Sequence, residues 1–154
     1  ITIEPDGTIR QVEITSCGLN GGPLKAEGKY PATICCNLTN GKMPHLSNVR
    51  KNPPSPNVNH EGELRFIKDI TKGTMIGYKY FSFSGTTRLK VTYRGSGGDL
   101  KILIGEKQMG ILQLPTAKNW AESNETTLNV SGTYALYFIY HGSGKIDLLD
   151  FTLG

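Results

Sequence analysis

Few residues in this chain have a type and spacing that could carry chemistry, and they fall into two groups. Trp120, the only tryptophan, stands in the polar stretch KNWAESNE, outside any apolar run. A tryptophan so placed reads either as a ring presented at a loop, where the apolar C–H face of a sugar stacks and displaces water, or as an ordinary packing residue. The second group is polar and comes from opposite ends of the chain: Gln11 and Glu13 in QVE, and Asp147 in KIDLLDF. Gln11 and Glu13 are two apart and so share one face of a strand. Oxygen ligands gathered from chain ends suit Ca²⁺, which takes about six to eight oxygens including backbone carbonyls. The other reading of the same residues is a solvated strand face.

Catalytic patterns are missing from the sequence. His45, His60 and His141 lie near turn residues with no nucleophile motif beside them, and read as surface histidines. Glu13, Glu61, Glu63, Asp99 and Asp147 could supply an acid pair for glycoside hydrolysis, but no local motif selects one pair over another. GSGG at 95–98 leads into no helix and reads as a hairpin turn, not a phosphate loop. Cys17, Cys35 and Cys36 are odd in number and have no CxxC with a histidine partner, which argues against a zinc site. A Cys17–Cys36 bridge and buried free thiols both remain open.

The elements that must position these residues are strands. With 154 residues, 37% hydrophobic and 19% charged, and with 19 Gly and 8 Pro, the composition is that of a loop-rich β protein. Short apolar or alternating runs recur: TIRQVEIT, ATICCNL, ELRFIKDI, TMIGYKYFSF, TRLKVTYR, DLKILIG, QMGILQLP, ETTLNV, TYALYFIY and KIDLLDFTL. The connectors SGTT, RGSGGD, GEKQMG, VSGTY and HGSGK supply turn residues. About ten strands without an amphipathic helix predict an all-β fold, an antiparallel β-sandwich or jelly roll. The Pro-rich interval over 43–62 predicts one long loop, because proline removes donors and fixes φ. A split there would leave the first part too few strands to bury a core, so 1–154 reads as a single domain whose N-terminal strands, within 1–45, join the same sandwich.

The net charge of +4 and pI near 9.0 permit an acidic partner, but Lys and Arg are scattered without a stripe, which argues against nucleic acid. No stretch reaches the roughly 20 apolar residues of a membrane-spanning helix, so no membrane partner is expected. The chain begins without Met inside an apparent strand, and the expectation is a piece of a longer protein.

Several segments resemble family 6 carbohydrate-binding modules. GTMIGYKYFSFSG is similar to that family's turn and strand G-D-[WY]-I-x-Y-x-x-V-D-F-G, and KIDLLDF to its final N-I-D-W-I-x-F. Trp120 stands where the family has a tryptophan, and TYALYFIYHGSG resembles the penultimate strand and its loop. IRQVEITSCGLNGGPL with YPATICCNL looks like the region after the catalytic propeller of bacterial family 43 glycoside hydrolases.

The resemblance implies a non-catalytic module that targets an upstream hydrolase to xylan or arabinoxylan. The alternative it leaves is a structural accessory domain packed on that catalytic domain. It also implies a structural Ca²⁺ on Gln11, Glu13 and Asp147, with Gln11 replacing an acid. In the family's cleft a sugar lies between two aromatics, here Trp120 and Phe66. Ser143 and Lys145 stand in the last loop where the family has amide side chains.

Overall fold

The computed structural model describes residues 3–9, 13–18, 21–41 and 56–154. Eleven strands run β1(Leu24–Lys25), β2(Gly28–Pro31), β3(Asn37–Thr39), β4(Asn57–Glu61), β5(Leu64–Ile70), β6(Met75–Gly95), β7(Gly98–Ile104), β8(Lys107–Leu114), β9(Ala117–Glu122), β10(Thr126–His141) and β11(Ile146–Leu153). Pairing is antiparallel except between β1 and β6. The main path is β4-β5-β11-β6-β10-β7-β8, with β1, β3 and β9 on β6 and β2 on β11. This is an all-β jelly-roll sandwich.

Period-two alternation explains which side chains turn inward. In the second half of β6, Leu89, Val91 and Tyr93 are buried, so Lys90, Thr92 and Arg94 face out. In β11, Ile146 and Leu148 are buried and Asp147 faces out opposite Arg94. A register shift between Leu148 and Asp150 then sets Asp150 opposite Thr92 on the outer face, where Lys29 pairs with it, and turns Phe151 inward opposite Val91. Phe151 centres an aromatic cluster, with ring centroids 4.7 Å from Tyr78, 5.4 Å from Phe138, 5.7 Å from Tyr30 and 5.9 Å from Phe81. Burying one such ring contributes about 1.5–3 kcal/mol.

Four expectations about the elements need correction. SGTT and VSGTY do not reverse the chain: β6 runs unbroken through Gly85 and β10 through Gly132, both at positive φ (128° and 116°). Gly85 pairs with Val130 and Gly132 with Phe83 in unbroken register, so both glycines lie inside a continuous ladder. The expected loop over 43–62 reaches too far, since Asn57–Glu61, directly after the last proline, form β4, paired with β5 across the turn at Gly62. Residues 42–55 lie outside the described residues. Of TIRQVEIT, Ile9 makes only an isolated bridge to Ile3 and 13–15 form no strand. ATICCNL begins as a short 3-10 turn at Ala32–Ile34 before β3.

Candidate functional site

Arg94 organises the outer surface where β9, β6, β11 and the β4–β5 hairpin meet. Its Nη1 and Nη2 donate to Glu61 Oε2 (2.9 Å) and Oε1 (2.6 Å), and its Nε donates to Asp147 Oδ2 (2.9 Å). The guanidinium carbon lies 4.4 Å from the Trp120 ring centroid and 5.0 Å from that of Phe66. Two carboxylates and two ring systems therefore hold one planar cation, the arrangement for which arginine is better suited than lysine. Hydrogen bonding to Glu61, then to Asp147, holds the Arg94 pKa above its already high ordinary value. Glu61 is held below its ordinary 4.5, chiefly by the Arg94 hydrogen bond.

Asp147 is fixed from its other side as well. The Asp69 N–H donates to its Oδ1 at 3.0 Å, and Asp69 sits at φ 58°, a left-handed conformation that aspartate tolerates better than most residues. Lys145 Nζ reaches Asp69 Oδ1 at 3.3 Å. Gly95, next to Arg94, has φ 132°, and a Cβ there would run into the Lys145 carbonyl and Ile146 Cα. The chain just before β11 is thereby pressed against the end of β6. An open cleft of about 430 Å³ lies here, lined by Arg94, Ser96, Thr116, Lys118, Lys145 and Asp147.

Phe66 and Trp120 are brought together, but as an edge-to-face pair 5.2 Å apart with rings at 70°. Phe66 is 1% exposed, so it supports Trp120 from beneath and offers no free face to a second ring. Trp120 is half-buried, and it shares the outward face of β9 with Lys118, two residues away. Lys145 lines the cleft, and Ser143 is exposed in the loop that precedes β11.

The expected calcium ligands are not brought together. Glu13 accepts from Lys79 Nζ (2.6 Å) and Tyr80 OH (2.8 Å) near the start of β6, whereas Asp147 sits opposite Arg94 near its end. Gln11 lies outside the described residues. Each of the two acids already has a cationic partner, so Glu13 and Asp147 do not fit a shared divalent site. Among the described residues no three His, Cys, Asp or Glu side chains gather in a metal-binding group. The three cysteines are free thiols; Cys17 Sγ lies against the Lys79 and Tyr80 carbonyls, and burial pushes the Cys35 thiol up to about 11.

Arg94 was missed in the sequence, although TRLKVTYR alternates in a way that places it on the outer face. Asp150 was missed too: it is buried, with Oδ2 3.0 Å from Lys29 Nζ and Oδ1 without a hydrogen-bond partner among the described residues.

No family model matches the chain. A xylosidase/arabinosidase of Thermoclostridium stercorarium is 33% identical over 99% of this chain, which spans 35% of that protein's length. A family 6 carbohydrate-binding module from Clostridium cellulolyticum, solved in complex with xylose, superposes with a TM-score of 0.69 at 14% identity, covering 84% of this chain and 98% of that one. A glycoside hydrolase family 43 arabinoxylan arabinofuranohydrolase from Bacillus subtilis, solved in complex with cellotetraose, superposes with a TM-score of 0.65 at 16% identity, covering 99% of this chain and 32% of that one. The chain has the fold of a family 6 carbohydrate-binding module and resembles, over nearly its whole length, one stretch of a xylosidase/arabinosidase chain.

Proposed function

We propose that this chain is a non-catalytic carbohydrate-binding module that holds plant cell-wall polysaccharide, of the xylan or arabinoxylan type, for a glycoside hydrolase domain in the same protein. The observation that carries this reading is the cleft beside Arg94, whose wall is a guanidinium fixed on the Trp120 ring and by two carboxylates. A saccharide needs polar groups held ready for its hydroxyls and an apolar surface for its C–H face, since ordering them on binding would cost affinity. Arg94, Thr116 and Lys145 in the lining provide the first, and the second is Ala117 in the lining together with Trp120, whose ring backs the Arg94 wall. The xylose of the Clostridium cellulolyticum complex and the name of the Thermoclostridium relative favour a pentose polymer.

Affinity electrophoresis of the chain through gels containing soluble xylan, arabinoxylan, arabinan or mixed-linkage glucan tests the proposal. Retardation by the xylans, removed by Arg94→Ala, is the expected result. Migration indifferent to every polysaccharide would contradict it.

One observation favours a second reading, an accessory domain that packs on the catalytic domain without binding sugar itself. Ile3, Ile9 and Ile14 are 67%, 67% and 76% exposed, a concentration of open apolar side chains in one short segment. The closed contact of Phe66 with Trp120 points the same way. Co-expression with the hydrolase domain, comparing binding to it with binding to xylan, separates the two.

A further inference from the structure

We propose that the cleft beside Arg94 selects sugars that carry a carboxylate, with Lys118 and Lys145 as the groups that receive it; this rests on the carbohydrate-binding reading above. The hydrogen-bonding groups of the lining that remain open decide which ligand fits. Asp147 has half of its acceptor capacity taken, since Oδ2 accepts the Arg94 Nε–H and Oδ1 the Asp69 N–H, and the Arg94 guanidinium neutralises its charge. The Thr116 hydroxyl already donates to the Ser96 carbonyl at 3.0 Å. The Lys118 ammonium is exposed and has no ion pair among the described residues. Lys145, with its side chain 61% exposed, has a single long contact to Asp69 and two further N–H groups to give.

The open capacity of the site is therefore mostly that of donors. A neutral sugar hydroxyl both donates and accepts, and it is matched by amide or carboxylate side chains. The lining contains no Asn or Gln, and its one carboxylate is paired with Arg94, whereas both lysine ammoniums keep N–H groups open. A ligand carboxylate only accepts, and ammonium donors match it with charge-assisted bonds.

Placement supports the same assignment. Lys118 and Lys145 both line the cleft beside Arg94, and Lys118 stands two residues before Trp120 in β9, so a ring resting against the Arg94–Trp120 wall brings a substituent to the ammonium. Lys145 is positioned from the opposite side by the close approach of its backbone to Gly95. Glu61, Asp69 and Asp147 balance Arg94, Lys118 and Lys145 in formal charge, so the selectivity is local and not a long-range attraction. The ligand class is a glycan bearing uronic acid, such as a glucuronic-acid-substituted xylan fragment.

The test is calorimetric titration of the chain with a xylo-oligosaccharide carrying one 4-O-methylglucuronic acid, and with the same oligosaccharide after its carboxyl is reduced to the alcohol. The expected result is at least about tenfold tighter binding of the acid form at low salt, an advantage that shrinks as ionic strength rises. In Lys118→Gln and Lys145→Gln the ratio of the two affinities falls toward one, with melting curves showing the variants folded. Equal affinity for the two forms, unchanged by either substitution, would overturn the carboxylate proposal and leave the carbohydrate reading standing. Absence of binding by either form, or by any neutral polysaccharide, would overturn both.

Discussion

Arg94 is the residue on which the outer surface depends, because it alone touches Glu61 of β4, Phe66 of β5, Trp120 of β9 and Asp147 of β11. Arg94→Ala leaves Asp147, whose side chain is 16% exposed, without its cation and strips one face of Trp120. The expected outcome is a fall of several degrees in melting temperature together with loss of saccharide binding. Arg94→Lys restores little of either, since an ammonium cannot bond Glu61 in bidentate fashion while lying flat on a ring. The pair also has a pH signature. Glu61 has its folded pKa depressed by Arg94, so its contribution to stability is present above 4.5 and fades as pH falls through and below that value. Melting temperature followed from pH 7 to pH 3 should show this loss in the wild type and not in Glu61→Gln; the difference is small, because Glu61 is 54% exposed at the side chain.

At the scale of elements, Gly95 is the point where close packing of two segments sets the geometry of the cleft. Gly95→Ala combines positive φ with a clash against backbone atoms that cannot swing away, and should cost about 1–3 kcal/mol by chemical denaturation. It should also weaken binding by displacing Lys145.

The strands themselves were legible in the sequence, since LKVTY and KIDLL spell the alternation that buries Leu89, Val91, Tyr93, Ile146 and Leu148. The continuity of β6 and β10 was not. A glycine at positive φ serves equally in a tight turn and in a bent ladder, and one sequence cannot say which. The chemistry was legible unevenly. Trp120 and Asp147 were singled out, but each was assigned its role without sight of its neighbour, and both prove to share Arg94. Which cation a carboxylate meets depends on pairing across β6, β9 and β11, contacts far apart in sequence that no local pattern records.

For the whole molecule, the question is what ties the chain's ends to the sandwich. Glu13 is held to the start of β6 by Lys79 and Tyr80, and Asp147 to its end by Arg94, so protein cations stand where a shared metal was expected. Treatment with a calcium chelator should accordingly leave the melting temperature within about a degree of its starting value. A fall of several degrees would show that ligands other than the Glu13 and Asp147 pair hold a stabilising cation.

Saccharide bound in the cleft whose wall is Arg94 on Trp120 would be reported directly by the chain's single tryptophan. Intrinsic fluorescence should change saturably as a xylo-oligosaccharide is added, with the same Kd that calorimetry gives, and Arg94→Ala should abolish both signals. Tight binding by calorimetry with Trp120 emission unmoved at saturation would contradict the account, placing the sugar elsewhere on the fold.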